Sequence, residues 1–289
     1  MPTLKINPRL EGRTYHYKSI ADLKNLKANK KTMPNKENWE NWERISNRNK
    51  ERTGSEASEW FGPRLTSYQK FQNALNRGWD YGIKKAKEMS AKVKIPQIES
   101  VKRKTFRGRE GDFLDIHKVN RGQFDIAWTK RKRASKVTKK CFTLSVHIGG
   151  AWTLSADRLF WRGIATVSLA KALVTAGHSV EIVAYTADGG LIRGEKAHKF
   201  YTVIVKPFEM PINLSSLVST ICLAGFFRTE FFKAYLTDPK ECCSGLGYVI
   251  DDNLPDEVLK RGGETVSIPD NLETDYAVTN WLEKTVQDL

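Results

Sequence analysis

From Cys141 onward the apolar residues fall into blocks whose periods change in a readable order. Phe142 to Ile148 alternates and then runs apolar, which predicts a strand, and Gly149-Gly150 breaks it. Asp157 to Ala176 carries Leu159, Phe160, Ile164, Val167, Leu169, Ala170 and Leu173 at helical spacing, and Gly177 stands where a helix ends in a left-handed residue. Val180 to Tyr185 predicts a second strand, completing a βαβ unit with a right-handed crossover. Asp188-Gly189-Gly190 is turn chemistry, and Phe200 to Lys206 is a third β-branched and aromatic run. No helical pattern separates them, so strands two and three are expected to form a hairpin, with strand three antiparallel at a sheet edge. Leu214 to Leu236 predicts buried helices, residues 247–250 and 264–268 two short strands, and Asp275 to Gln287 a terminal helix. The expected fold class is α/β: a mostly parallel open sheet of about five strands with helices on both faces.

The pattern before Cys141 is weaker. Residues 1–58 read as a polar N-terminal extension with a short helix at Ile20 to Leu26 and with Trp39 and Trp42 three apart on one helical face. That pair suits a small core or docking stripe, or stacking on bases. Residues 59–140 read as a mainly helical basic region. Ser67 caps a helix whose Tyr68, Phe71, Ala74 and Leu75 share a face, Gly78 ends it, and Trp79 to Met89 begins another. Between two cationic runs, Asp112 to Trp128 holds Phe113, Leu114, Ile116, Phe124, Ile126 and Trp128, which call for burial. Residues 141–289 are the expected α/β domain.

Charge changes this picture most. The chain of 289 residues carries a net +15, but residues 1–140 hold 35 Lys and Arg against 15 Asp and Glu, and residues 141–289 hold 13 against 18. Such asymmetry is the footprint of nucleic-acid binding, although a solvated basic linker or an acidic protein partner gives the same count. The candidate phosphate contacts are Lys102, Arg103, Lys104, Arg107 and Arg109 in one run and Lys130, Arg131, Lys132, Arg133, Lys136, Lys139 and Lys140 in the other. The second run would also pass as a nuclear localisation pattern in a eukaryote. No zinc-finger spacing and no heptads over a basic region are present, so only a weak sequence preference is expected.

The remaining chemistry mostly excludes. Cys141, Cys222, Cys242 and Cys243 form no CxxC pair and no secretory h-region follows Met1, so free thiols in a reducing, cytoplasmic setting are expected. The longest apolar stretch, Ile212 to Phe227, is interrupted by Asn213, Ser215, Ser216, Ser219 and Thr220 and falls short of the roughly 20 residues of a span, so no membrane partner is expected. Gly149-Gly150 lacks the rest of a dinucleotide or P-loop motif, and no nucleophile–base–acid set is evident, so no cofactor and no enzymatic activity are expected.

The order of elements in the last 149 residues resembles the von Willebrand factor A-like fold. A wider resemblance is carried by Phe61-Gly62, Ser67, Phe71, Ala74-Leu75, Gly78-Trp79, Asp115 to Trp128, Ser155-Ala156, Arg162-Gly163, Gly177-His178 and Val180-Glu181. Through these the chain is similar to a family of tailed-phage proteins without an assigned activity, which implies a phage origin, a host-cell cytoplasmic setting and phage or host protein partners. The von Willebrand A-like resemblance implies a metal site of Asp-x-Ser-x-Ser type after the first strand. Ser145 to Trp152 lacks that motif, and His147, in the place of its Asp, is a poor ligand for a hard cation. A residual cation or small-ligand site would draw on His147, Thr153, Ser155, Asp157, Asp251 and Asp252 at the strand ends. The leading expectation is a non-enzymatic phage accessory protein that binds nucleic acid through its basic half, with the α/β half as an interaction module. The alternative is a protein-interaction or virion-structural role without direct nucleic-acid binding.

Overall fold

The structure is a computed structural model that describes residues 3–7, 12–28, 31, 33, 36–93, 95, 104–132, 139–149, 154–192, 195–237 and 263–289. The chain divides into two compact units, one of residues 1–95 with 140–289 and one of residues 96–139.

In the larger unit, β1 (Thr3–Asn7) and β2 (Gly12–Tyr17) are followed by α1 (Ile20–Lys24), α2 (Lys36–Glu51), α3 (Gly54–Phe61), α4 (Tyr68–Arg77) and α5 (Asp80–Lys92). The smaller unit holds β3 (Lys104–Gly108), β4 (Phe113–Leu114), α6 (Ile116–Asn120), a 3₁₀ turn (Phe124–Ile126) and β5 (Trp128–Lys132). The larger unit resumes with β6 (Cys141–His147), α7 (Ala156–Thr175), β7 (Ser179–Ile192), β8 (Glu195–Lys206), α8 (Leu214–Ile221), α9 (Ala224–Phe226), a π turn (Phe227–Phe231), α10 (Phe232–Leu236), β9 (Glu264–Ser267) and α11 (Asp275–Asp288).

One sheet runs through this unit in the order β1-β2-β8-β7-β6-β9. β6 pairs in parallel with β7 and with β9, β8 pairs in parallel with β2, and β7–β8 and β1–β2 are antiparallel. The βαβ unit and the β7–β8 hairpin agree with the sequence. The hairpin is longer than expected, because Asp188-Gly189-Gly190 continues the ladder opposite Ala197, His198 and Lys199 instead of turning.

β8 is not an edge strand. β2 lies alongside it, with Tyr15 opposite Tyr201, and the two rings stack with centroids 5.0 Å apart. The segment read as a polar extension therefore supplies two strands of the main sheet. Only Tyr15 and Tyr17 give β2 an apolar face, and two positions separated by His16 are too short a pattern to read as a strand. The strand expected at residues 247–250 lies outside the described residues.

At the centre is α7, which is buried around nearly its whole circumference: Leu159, Phe160, Ile164, Ala165, Val167, Leu169, Ala170 and Leu173 are all 3% exposed or less. Ser155 caps its start by accepting from the Arg158 N–H. Its end closes as expected: Gly177 adopts φ +100° and the His178 N–H returns to the Leu173 carbonyl. Gly163 allows α8 to approach closely, since a Cβ there would stand 2.4 Å from the Ile221 carbonyl oxygen and 2.7 Å from Cys222 Cα.

The sequence groups residues 59–95 with the basic stretch, yet they belong to this core. Trp79 is buried and meets Phe160 of α7 edge-on at 5.3 Å, and Phe61 stacks on Phe71 at 4.6 Å. Arg228 ties the same layer together. Its buried guanidinium donates to the carbonyls of Glu59, Trp60 and Leu154, and its cation lies 4.5 Å from the Trp60 ring, with Arg52 also over that ring at 4.0 Å. Burial, and then the charge of Arg52, push the Arg228 pKa down to about 10. Among the described residues, no helix is long and apolar enough to cross a membrane.

If α3 to α5 are part of the α/β core, Trp79→Ala should destabilise the whole larger unit by about 3–5 kcal/mol. In urea denaturation followed by circular dichroism, the main transition should move to lower denaturant as one step. An unmoved main transition with a separate early one would show that residues 59–95 fold apart from the sheet.

Candidate nucleic-acid interface

The smaller unit, residues 96–139, carries 13 Lys and Arg against 5 Asp and Glu, so a net +8 of the chain's +15 is concentrated in 44 residues. It is built on a three-stranded sheet in the order β3-β5-β4. The register sets Lys104 opposite Lys132, Thr105 opposite Arg131, Phe106 opposite Lys130 and Arg107 opposite Thr129. β4 continues the sheet with Phe113 opposite Thr129 and Leu114 opposite Trp128. The Asp112 and Asp115 N–H groups donate to the carbonyls of Thr129 and Ala127, which holds the loop after β3 against β5. Gly111 is needed in that loop, because a Cβ would lie 2.6 Å from the Thr129 carbonyl.

Apolar residues of this unit were expected to be buried, and they are not. Phe113 is 57% exposed, Phe124 62%, Ile116 56%, Leu114 44% and Ile126 41%, while Ala127 is buried and Trp128 half-buried. A sheet of strands this short cannot enclose five large side chains, so they stay at the surface.

The sequence-predicted phosphate contacts separate into groups. Arg107, Arg109 and Lys130 are exposed on the smaller unit, and Arg109 pairs with Asp125, a contact between two largely exposed groups that contributes little. Lys104, Arg131 and Lys132 lie on β3 and β5. Lys102, Arg103, Arg133 and Lys136 fall outside the described residues. Lys139 is exposed. Lys140 belongs to the larger unit, where its ammonium pairs with Glu264 at 3.1 Å and donates to Leu289 at 3.2 Å, fastening the start of β6 beside β9 and the chain's last helix. Trp39 and Trp42, the pair considered for base stacking, are half-buried on α2.

Of the expected strand-end groups, Ser155, Asp157 and His147 are among the described residues. Asp157 is exposed in the first turn of α7, and Thr153, Asp251 and Asp252 lie outside the described residues. His147 instead meets Asp270, which follows β9. The imidazole is fully buried, stacks on Tyr185 at 5.0 Å and places Nδ1 3.4 Å from an Asp270 carboxylate oxygen. Arg162 of α7 donates to the His147 carbonyl at 2.8 Å and the Asp270 carbonyl at 3.0 Å, and ion-pairs with the Asp270 carboxylate at 3.0 Å. Asp270 was missed, although its place just beyond a parallel strand's carboxyl end was a usable signal. The trio ties β6, α7 and the segment after β9 together. Among the described residues, no group of three or more His, Cys, Asp or Glu is placed to hold a metal.

Burial by itself would raise the Asp270 carboxyl, but the hydrogen bond from His147 and the charge of Arg162 outweigh it and hold the carboxyl below its ordinary value. A lowered carboxyl stabilises the fold fully above the unfolded pKa of about 3.9, and the contribution is lost as pH falls through the folded value. Asp270→Asn should therefore cost about 1–3 kcal/mol at neutral pH, as expected when a charged hydrogen-bond partner is removed. In urea denaturation at stepped pH, the gap between native chain and variant should close below about pH 4. A gap independent of pH would show that the carboxylate charge is not what holds the trio.

A family model described as a domain of unknown function (DUF7192) matches residues 9–287 of the chain. No curated protein and no solved structure matches it.

Proposed function

The chain belongs to that domain family, and we propose that it is a non-enzymatic nucleic-acid-binding protein whose smaller unit contacts phosphates. The observation that carries this reading is the concentration of a net +8 in 44 residues. There a ribbon of β3 and β5 bears Lys104, Arg107, Lys130, Arg131 and Lys132 and leaves Arg107 and Lys130 exposed. Contacts from these cations to phosphates would set position and not sequence.

The larger unit would act as the interaction module. The order β8-β7-β6-β9 places the third, second, first and late strands of the expected domain side by side, which supports a von Willebrand A-like reading. The similarity to tailed-phage proteins supports an accessory role in the host cytoplasm, with a phage or host protein as partner. A protein-interaction or virion-structural role is the second reading, and the exposed apolar residues of the smaller unit favour it.

Alanine at Lys102, Arg103, Lys104, Arg131, Lys132 and Arg133 together should abolish retention on heparin and on immobilised DNA. For about six neutralised phosphates, binding by the native chain should weaken by roughly 10³-fold between about 50 and 200 mM salt. Retention that survives the six substitutions, or that ignores salt, would remove the proposal.

A further inference from the structure

We infer that the smaller unit takes single-stranded nucleic acid, with the exposed rings of Phe113 and Phe124 as stacking platforms for unpaired bases. This rests on the phosphate-binding role proposed above and adds what the ligand must present. Directly opposite residues of an antiparallel sheet share a face, so Arg107, Thr129 and Phe113 form one row across β3, β5 and β4. The two ends of that row are an exposed guanidinium and a ring 57% exposed, about two strand spacings, or roughly 10 Å, apart. The second ring, 62% exposed, belongs to the 3₁₀ turn. Its neighbour Asp125 pairs with Arg109, just beyond the end of β3, which brings Phe124 to the same end of the ribbon as Arg107.

Chemistry decides among occupants. A ring of phenylalanine has no polar handle, so its favourable partner is another flat or apolar surface. A duplex keeps the faces of its bases stacked on one another and admits such a ring only at the cost of unstacking a base step. An unpaired strand offers base faces at intervals along a phosphate chain, which matches rings set among cations. Stacking of this kind tolerates any base. An acidic protein would satisfy the cations, but it would leave the paired requirement for flat rings and phosphates unused.

The test uses the whole chain with labelled oligo-dT, oligo-rU and a DNA duplex of equal length, followed by fluorescence anisotropy at fixed salt. The native chain should bind the single strands more tightly than the duplex. Phe113→Ala with Phe124→Ala should weaken single-strand binding by about tenfold per ring and leave duplex binding within about twofold. Phe113→Tyr with Phe124→Tyr should restore it, since the ring and not the fold is at issue, and unchanged circular dichroism in both pairs confirms the fold. Equal binding of single strand and duplex, insensitive to the alanine pair, would overturn the stacking while leaving the phosphate-binding role standing. A native chain that leaves all three oligomers free would overturn both and make an acidic protein the occupant of this face.

Discussion

A helix that is apolar around nearly its whole circumference must be covered on nearly every side, and α7 imposes that requirement on the rest of the larger unit. The sheet covers one flank, where Phe142, Leu144 and Val146 of β6 and Val180, Ile182 and Ala184 of β7 join its cluster. The remaining flanks need helices, and the chain supplies them from both directions: α3 and α5 from before the basic segment, α8, α9 and α11 from after it. Trp79 against Phe160 and Gly163 beneath Ile221 are the points of closest approach. The N-terminal helices are therefore not an appendage. Without them, the side of α7 that carries Phe160 would face water, and the α/β half would expose an apolar stripe of the kind that drives association.

The smaller unit obeys the opposite constraint. It has too little chain to bury its own apolar residues, and its cations are dense enough to repel one another. A segment inserted between two parts of one core, with few buried side chains among its described residues, gains little stability from packing. Its surface is then free to be specialised: the exposed rings and guanidiniums cost the larger core nothing. This separation lets a strongly cationic segment exist on a protein whose main body is otherwise governed by burial.

What could be read from the sequence followed from local rules. Ser67, Ser155 and Gly177 each act at the helix ends their chemistry suggests, and the period of Phe142 to Tyr185 yields a strand, a helix and a strand where expected. What could not be read was set by long-range partners. β2 becomes a strand because Tyr15 finds Tyr201, a residue 186 positions away whose role no local pattern announces. Asp270 becomes a partner of His147 only when β9 pairs beside β6. Phe113 and Phe124 look like core residues by composition, and only the size of the unit that contains them turns them outward.

Net charge is the signal on which the functional reading leans, and the structure sharpens how such a count should be used. Several cations of the larger unit are consumed internally. Arg228 is held by three carbonyls, Arg162 by two carbonyls and Asp270, and Lys233 by the Lys24 carbonyl and Glu230. Lys206 is buried with its ammonium on the carbonyls of Val180 and Pro207, and burial lowers its pKa against the opposing pull of Glu181 and Glu209. A charge enclosed in this way is screened from a ligand by the groups that solvate it, so it adds to the total without adding to a surface. Arg107 and Lys130, exposed on a small ribbon, act at full strength on whatever approaches. Attraction therefore depends on how many charges face water within about one Debye length of each other, near 10 Å, and not on how many the chain contains.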